Sequence, residues 1–423
     1  MTATDEDGPR SGTFESLAVP AYRTLWTLSL GVFVAVTSQM VARGWVAYDL
    51  TGSNTGLGGV MVGFGLAMLI ATPWGGVIAD RYSKRAVIGW CTLALLLTSA
   101  WIGLAIVSGW IAYWMLVVAS AIQAASFACY GPARMALTAE LVDAKRLNNA
   151  IVLTQVSMES TRVIGPAAAG VLIGIAWFGP GGVFLAGASL CAGSLAFTLR
   201  LPDPPPRPTG VQPSALAALA EAVRYLRNDA RLLLLALTSL VVVVAGMPYL
   251  TFLPVLAEEV HGAGAAGYGT MSAVSAAGAV VAGLASARAT ERSAWRRVGA
   301  AGAIFGAGLI AAAAAPTFAL VLVALVFVGG GALMFQSSSQ ATLIGLSEPR
   351  YHGRVQSTVM IGYSGFGLMA LPLGMTADVI GLPTTMVAMG VVILTAIGCF
   401  GITHRILSSR RAAVELAVKL PEN

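Results

Sequence analysis

Long apolar runs recur along the chain, and short polar segments separate them. Twelve of these runs reach about 20 residues, the length at which an α-helix crosses the hydrocarbon core of a bilayer. They begin near Leu25, Thr55, Ala86, Ala112, Asn149, Gly182, Leu232, Ala265, Val298, Phe318, Val355 and Thr384. The pattern therefore predicts an all-α membrane protein with twelve transmembrane helices.

The longest polar stretch separates the sixth span from the seventh. It opens with a proline-rich segment over 201–210, which disfavours a helix, and continues over 214–229 with the two faces of an amphipathic helix. The predicted organisation is two six-helix bundles with a linker and two tails. The N-terminal tail covers 1–24, the first bundle 25–200, the linker 201–231, the second bundle 232–405 and the C-terminal tail 406–423.

The composition and the placement of charge exclude most other classes of protein. Hydrophobic residues make up 57% of the chain and charged residues 10%, whereas soluble domains carry about 25% charged residues. The net charge of +6 also suits nucleic-acid binding, but 23 of the 25 lysines and arginines fall on one side of the predicted spans. Basic loops stay in the cytoplasm. We therefore expect both termini to be cytoplasmic and no nucleic acid to bind.

The remaining residues suggest no enzymatic chemistry. All four cysteines fall within apolar spans, and the three histidines lie near span ends. No Gly-x-x-x-x-Gly-Lys-(Ser/Thr) loop is present, which argues against transport driven by ATP on this chain. We expect no metal, no cofactor and no enzymatic activity.

A polar segment with a distinctive spacing follows the second span. Gly76 and Asp80 are four residues apart, so they share one face at a helix end, and Arg81, Lys84 and Arg85 follow. The glycine allows another helix to approach closely, and the carboxylate is placed to cap a neighbouring helix. A basic loop that only sets the orientation of the chain has the same spacing, and the spacing alone does not decide between the two.

This segment resembles the signature loop of the major facilitator superfamily, Gly-x-x-x-Asp-Arg-x-Gly-(Arg/Lys)-(Arg/Lys), with Ser83 in place of the second glycine. The resemblance implies the major facilitator fold, in which two six-helix bundles alternate access to a central site. It also implies a conformational latch in which Asp80 helps to hold the halves together on the cytoplasmic side. Ala287 stands at the equivalent position of the second half, so no latch acid is expected there.

Further motifs, in order along the chain, resemble the enterobactin-exporter-like branch of that superfamily, also called transmembrane secretion effectors. They are Gly131-Pro-Ala-Arg134, Arg146-Leu-Asn-Asn-Ala-Ile151, Gly267-Tyr-Gly269, His352-Gly-Arg-Val355 and Pro372-Leu-Gly374. The resemblance covers roughly residues 20–400. It implies export of a small molecule through the inner (plasma) membrane.

Two charges fall in the middle of the fifth span. Glu159 lies ten residues beyond Asn149, about 15 Å along a helix and so near the bilayer midplane. Arg162 is three residues further on, within reach of Glu159 on the same face. The functional interpretation makes Glu159 a proton acceptor or a contact for a cation, with Arg162 tuning its affinity. The alternative is a structural ion pair that fixes the fifth span in its bundle.

The same span contains Gly165, Pro166, Gly170 and Gly174. Its small residues permit close contact between helix backbones, and the proline removes a backbone donor. The run resembles the fifth-span motif of antiporters in the superfamily, which implies export. Ordinary packing of small residues is the alternative.

The fourth span departs from a second antiporter pattern. Many proton antiporters of the superfamily have Arg-x-x-Gln-Gly there, whereas this chain has Ser120-Ala-Ile-Gln123-Ala124. The glutamine matches and the arginine does not. Proton coupling must therefore depend on other residues, of which Arg162 is one candidate.

A set of polar, aromatic and sulfur-containing residues is predicted to line a central cavity for an amphipathic organic molecule. They are Gln39, Arg43, Gln123, Tyr130, Met334, Phe335, Gln336, Gln340 and Tyr363. Each has packing between helices as its alternative, and Arg43 has a second one, extension to the outer interface. The acids expected to be solvated at outer helix ends are Asp49, Glu258, Glu259 and Asp378.

These observations favour a monomeric secondary transporter that exports a drug, siderophore or metabolite in exchange for protons. One alternative is a facilitator or proton symporter that imports a small nutrient. Another is a membrane scaffold or sensor, but it leaves the midspan charges without a purpose.

Overall fold

The computed structural model describes residues 14–175, 177–202, 221, 224–286, 294–348 and 352–419, and they are largely helical. Within its helices, the side chains of 352–361, of 410–419 and of a number of single positions lie outside this description, among them those of Asp80, Glu159 and Tyr363. The long helices are α1 (Pro20–Thr51), α2 (Asn54–Arg81), α3 (Lys84–Val107), α4 (Tyr113–Leu141), α5 (Ala144–Ile173), α6 (Gly179–Thr198), α7 (Ala230–Gly246), α8 (Gly264–Ser286), α9 (Ala294–Ala314), α10 (Phe318–Leu346), α11 (His352–Ile380) and α12 (Leu382–Lys419). The short helix Tyr249–Val255 and the π-helical turn Leu256–Val260 continue α7.

Each long helix begins within five residues of the start predicted from the apolar runs. Over the described residues, ten helices are long and apolar enough to cross a membrane. The two outside this set are α5, which carries the midspan charges, and α11, whose apolar stretch is limited to Ser364–Ile380. The prediction of an all-helical membrane protein is confirmed, while the count of twelve spans stays a prediction.

Local sequence determines the short connections between the first helices. Gly52 ends α1 with a φ of 56°, a left-handed conformation that glycine adopts without steric cost. Ser53 then caps α2, because its hydroxyl accepts a hydrogen bond from the Gly56 N–H at 3.0 Å. Ser83 caps α3 in the same way, with the Ala86 N–H at 3.2 Å. The serine that replaces a glycine in the signature loop is therefore the N-cap of the next helix.

Contacts between helix termini define two ends of the molecule. At the basic end, the start of α3 meets the end of α4, where Lys84 Nζ lies 2.9 Å from Glu140 Oε1. At the opposite end, the start of α4 meets the start of α2, where Tyr113 Oη donates to the Gly56 carbonyl at 2.8 Å. Arg23, Arg81, Arg146 and Arg200, near termini of other helices, also lie at the basic end.

Helices pack against each other within each half, and two further helix pairs connect the halves. In the first half, α1 packs on α4, α5 and α6, and α3 packs on α4 and α6. In the second half, α10 packs on α8 and α9, and α12 packs on α7 and α9. The contacts between halves run mainly along α2 with α11 and along α5 with α8. These two pairs therefore connect the units that enclose the candidate site.

The predicted tails are more ordered than expected where the structure describes them. A short 3-10 helix, Glu15–Ala18, precedes α1, and Glu15 forms an ion pair of 3.0 Å with Arg146 at the start of α5. At the other terminus α12 continues to Lys419, well into the segment 406–423 that was predicted to be a tail. Both segments extend the bundle.

Most of the predicted linker, including 203–220, lies outside the described residues. Residues 224–228 at its end are helical, as the amphipathic pattern predicts. Leu226 is buried there, and Tyr225 Oη accepts a hydrogen bond from the Glu348 N–H at 3.1 Å. The end of the linker thus packs on the second half, beyond the end of α10.

Candidate functional site

The signature loop lies at the basic end, where only Tyr82 and Ser83 separate α2 from α3. Gly76 and Asp80 lie in the last turns of α2, as predicted, but their side-chain surroundings are outside the described part of the chain. Arg81 ends the helix and is exposed. The latch predicted for Asp80 therefore stays a prediction.

Lys84 has a different place from the one expected of a surface anchor. Its side chain is 8% exposed and pairs with Glu140, which is 11% exposed. Arg85 donates to the Leu199 carbonyl at 2.9 Å, at the end of α6. The Lys84 side chain is therefore part of the bundle interior. Because α3 begins at this residue, its side chain is directed into the bundle against α4.

Arg43 is buried at the contact of α1 with α4. Its side chain is 2% exposed, and Nη1 donates to Ser120 Oγ at 3.1 Å and to Gln123 Oε1 at 2.6 Å. The Nε atom is buried without a hydrogen-bond partner. No described carboxylate lies within ion-pair distance of Arg43. The alternative that this residue extends to the outer interface is therefore wrong, because α4 offers it two acceptors inside the bundle.

This contact bears on the incomplete antiporter pattern of the fourth span. Ser120 stands where that pattern has arginine, and Gln123 is its glutamine. Arg43 brings a guanidinium from α1 to both positions. The sequence pattern did not reveal this, because the partners are 77 and 80 residues apart along the chain.

A second buried cation lies at the contact of α4 with α5. Arg134 belongs to α4, seven residues before the helix ends. Its Nη2 atom is 3.6 Å from Met158 Sδ, and its guanidinium lies 5.3 Å from the centre of the Phe33 ring. Arg162 is half-buried, and the Glu159 side chain is outside the described residues. Arg134 thus contacts Met158, the residue that precedes Glu159 in α5.

The register of α1 against α5 separates the two buried arginines in depth. Thr37 Oγ1 donates to the Thr161 carbonyl at 3.0 Å, which places these residues at one level. Arg43 is six residues beyond Thr37, and Glu159 is two residues before Thr161. At 1.5 Å per residue, about 12 Å of helix axis separates Arg43 from the level of Glu159. Arg134 is therefore the buried arginine at the level of Glu159.

The glycines of α5 have three different environments. Gly165 faces α1, where a methyl group would collide with a threonine side chain, and Pro166 is half-buried beside it. Gly170 faces the other half and touches Gly269 of α8 backbone to backbone. Gly174 caps the helix, and a methyl group there would make only ordinary van der Waals contacts, one of them with the Ala266 side chain of α8. Close approach between helices is confirmed for Gly165 and Gly170, whereas Gly174 has no such tight contact.

The first-half residues predicted to line the cavity are buried and hydrogen-bonded within their own bundle. Gln39 Nε2 donates to Ser99 Oγ at 2.8 Å on α3. The hydroxyls of Tyr130 and Ser29 are 3.1 Å apart, and Gln123 accepts from the arginine of α1. In this conformation these side chains hold helices together, as the packing alternative predicts.

The second-half residues surround a small pocket between α7 and α10. Its lining comprises Ser239, Val243, Phe335, Gln336, Ser339, Gln340 and Leu343. The Oγ atoms of Ser239 and Ser339 are buried without a hydrogen-bond partner. Met334 is half-buried against the core, and the Tyr363 side chain is outside the described residues. The pocket places both predicted glutamines together, and the two serines were not predicted.

Polar contacts also join the halves at the opposite end. Tyr268 of α8 stacks on Trp45 of α1 with ring centres 6.1 Å apart, and its hydroxyl donates to the Val41 carbonyl at 3.3 Å. Glu259 accepts a hydrogen bond from Tyr48 at 3.1 Å. Asp378 likewise bonds across to α2. Both acids are exposed at helix ends, as predicted, and each also accepts a hydrogen bond from the other half.

The chain resembles known transporters in sequence profile and in fold. The family profile described as Major Facilitator Superfamily matches residues 25–370. A bacterial homologue of the human lysosomal transporter Spinster, in an inward-facing and unoccupied conformation, is 17% identical with a TM-score of 0.72, covering 91% of this chain and 96% of that one. The nucleoside transporter NupG is 17% identical with a TM-score of 0.71, over 90% and 98%. A POT family transporter in complex with 5-aminolevulinic acid is 12% identical with a TM-score of 0.74, over 93% and 97%. No curated protein matches the chain.

Proposed function

The chain belongs to the major facilitator superfamily, and from that premise we propose that it exports a small amphipathic molecule by alternating access in exchange for protons. We assign it to the enterobactin-exporter-like branch and to the inner (plasma) membrane. The order of its sequence motifs supports the branch, and the α5 motif supports export. The fold does not decide the substrate, since a nucleoside transporter and a transporter bound to 5-aminolevulinic acid share it.

The proposed topology has twelve spans with both termini in the cytoplasm. It assigns the basic end to the cytoplasm, in accord with the retention of basic loops on that side. The contacts described between the halves at the opposite end would then close the molecule toward the outside. The two bundles over 25–200 and 232–405 are the units that move relative to each other.

The observation that carries the proposal is the buried charge in the interior of the first half. Arg43 and Arg134 are both buried, and neither has a carboxylate within ion-pair distance among the described residues. Charges at membrane depth are costly and are typical of ion pathways and substrate sites. A scaffold has no use for them. We assign the proton to Glu159, with Arg162 and Arg134 favouring its ionised form.

The substrate class follows from the second half. The small pocket between α7 and α10 is lined by Gln336, Gln340, an aromatic ring and two serines, only the serine hydroxyls being buried without a protein partner, and its lining carries no charge. Such a lining suits a molecule with an apolar body and a few hydrogen-bonding groups. Drugs, siderophores and metabolites of this kind are the candidates.

Inside-out vesicles with an acidic interior test the proposal, with a pH-sensitive dye reporting proton release. For an exporter, external addition of a transported drug or siderophore releases protons. We expect Glu159→Gln to abolish this release, because the amide cannot take up the proton. Expression of the protein is expected to stay the same. Asp49→Asn, which removes an exposed carboxylate at the opposite end of α1, is the matched control.

Two other results would argue against the proposal. Proton release that requires the compound to be loaded inside the vesicles would indicate a symporter that imports it. Release that persists in Glu159→Gln would remove this residue from the proton pathway and make the midspan pair a structural one.

A further inference from the structure

One five-residue pattern ends two different helices of this chain. Residues 76–80 at the end of α2 read Gly-Val-Ile-Ala-Asp, and residues 374–378 at the end of α11 read Gly-Met-Thr-Ala-Asp. The two helices pack against each other across the halves. The α2 copy lies at the basic end and the α11 copy at the opposite end, where the structure describes its contacts.

The aspartate of the α11 copy caps the N-terminus of α2. Asp378 Oδ1 accepts from the Asn54 N–H at 2.9 Å and from Asn54 Nδ2 at 3.0 Å. Its Oδ2 accepts from the Thr55 N–H at 2.9 Å and from the Thr55 hydroxyl. Asn54 and Thr55 are the first two residues of α2, whose N–H groups have no acceptor within the helix. The negative charge also lies at the positive end of the helix dipole.

The glycine of the pattern allows α11 to approach α2 closely enough for Asp378 to reach the N-terminus of α2. Gly374 is one turn before Asp378, and a methyl group there would collide with the Asn54 carbonyl. Further along the same face, Gly367 lies against Gly65 of α2. Because these glycines bring the backbones together, the short side chain of Asp378 spans the gap between the halves.

We propose that Asp378 is a positioning residue that latches the two halves at the end opposite the signature loop. When the halves separate at this end, the first two N–H groups of α2 lose their acceptors on α11. The carboxylate thereby stabilises the conformation that is closed there, and its removal favours the open one. The chain then carries one Gly-x-x-Ala-Asp latch at each end of the α2–α11 pair. This inference rests on the alternating-access part of the proposed function and not on its substrate or its proton coupling.

Distances between spin labels test the latch without any substrate. The labels are attached to cysteines at Leu50 and Thr384, which are exposed at this end on opposite halves. The background has Cys91, Cys129, Cys191 and Cys399 replaced by alanine. Asp378→Asn removes the charge and turns an amide donor toward the Thr55 donors. We expect the ratio of open to closed conformations to rise about tenfold, as the loss of charge-assisted hydrogen bonds implies.

Matched variants separate the latch from general damage. Asp49→Asn removes an exposed acid at the same end and leaves the distances unchanged. Asp378→Glu retains the charge and shifts them less than Asp378→Asn. Thr55→Val removes one donor but leaves the aspartate in place, so it gives a smaller shift in the same direction even if Asp378→Asn does not fold.

An unchanged distance distribution in Asp378→Asn or, where that variant does not fold, in Thr55→Val overturns the proposal. So does a shift of equal size in Asp49→Asn. A shift in Gly374→Ala alone would mean that backbone packing, and not the carboxylate, holds this end closed. Because no transport is measured, an error in the assigned substrate or coupling ion leaves the result interpretable.

Discussion

The two halves of this transporter bury different kinds of polar residue. In the first half the buried residues include Arg43, Lys84 and Arg134. In the second half the buried polar residues that the structure describes are all serines and threonines. The halves share one helical architecture, so the fold does not require this difference. Charge is concentrated in the bundle of α1, α4 and α5, and neutral hydrogen-bonding groups face the pocket of α7 and α10.

The difference suggests that the two halves have different functions in transport. A buried cation without a carboxylate is unfavourable for stability and is retained where charge has a function. Hydroxyls without a protein partner also have a cost, but a neutral ligand satisfies them. We therefore expect substitutions in the first half to affect coupling and substitutions in the second half to affect substrate affinity.

The largest effect is expected at Arg43. Arg43→Gln removes the cation from Ser120 and Gln123, and we expect proton-coupled transport to fall by about tenfold or more. The thermal unfolding midpoint stays the same or rises, because a charge without a carboxylate partner is no longer buried. Transport in vesicles and thermal unfolding in detergent measure the two effects.

A double variant that moves the guanidinium from α1 to α4 provides the control for Arg43. Arg43→Gln combined with Ser120→Arg returns a guanidinium to the same place from α4, and we expect it to recover part of the lost transport. Arg23→Gln removes an exposed cation near the start of the same helix, at the basic end, and serves as the matched variant. If Arg43→Gln lowers the unfolding midpoint and leaves transport intact, the residue is structural and the comparison of the halves fails.

A smaller effect, on stability, is expected at the ion pair of Lys84 with Glu140. Lys84→Met leaves Glu140 buried without its counter-ion, which we expect to destabilise the protein by about 3 kcal/mol. Lys84→Met with Glu140→Leu removes both charges and is expected to recover most of that loss. A double-mutant cycle on thermal unfolding measures the coupling. If the losses of stability in the two single variants add up in the double variant, the interaction of Lys84 with Glu140 contributes nothing to stability. The buried charges of the first half would then act independently of one another.

The sequence predicted the helices well because their determinants are local. Apolar runs place each helix start within five residues, and the close approach at Gly165 and Gly170 follows from the absence of side chains there. Gly174 shows the limit of that reasoning, since the same residue type ends the helix with only ordinary contacts around it. A glycine pattern does not reveal which face of a helix meets a neighbour.

The site was harder to predict because its contacts join distant parts of the chain. Asp378 and Asn54 are 324 residues apart, and the contact requires α11 to lie on α2. The repeated Gly-x-x-Ala-Asp pattern was a readable clue, but its meaning depends on that packing. The surroundings of Arg134 could not be predicted for the same reason, since its guanidinium lies against a ring of α1 and a thioether of α5.

The smallest effects are expected at the serines of the second half. Ser239→Ala and Ser339→Ala each remove a buried hydroxyl that no protein group satisfies. We expect stability to be unchanged or slightly higher, and the KM for the transported compound to rise about fivefold with an unchanged maximal rate. Substrate-dependent proton release at several compound concentrations separates the two parameters.

Ser337→Ala on the same helix is the control, because its exposed hydroxyl already donates to the Leu333 carbonyl at 2.9 Å. A rise in KM at Ser239 and Ser339 without a change in the proton dependence would assign affinity to the second half. A change in proton dependence there would instead make coupling a property of both halves. The concentration of charge around α1, α4 and α5 would then reflect how the first bundle is held together.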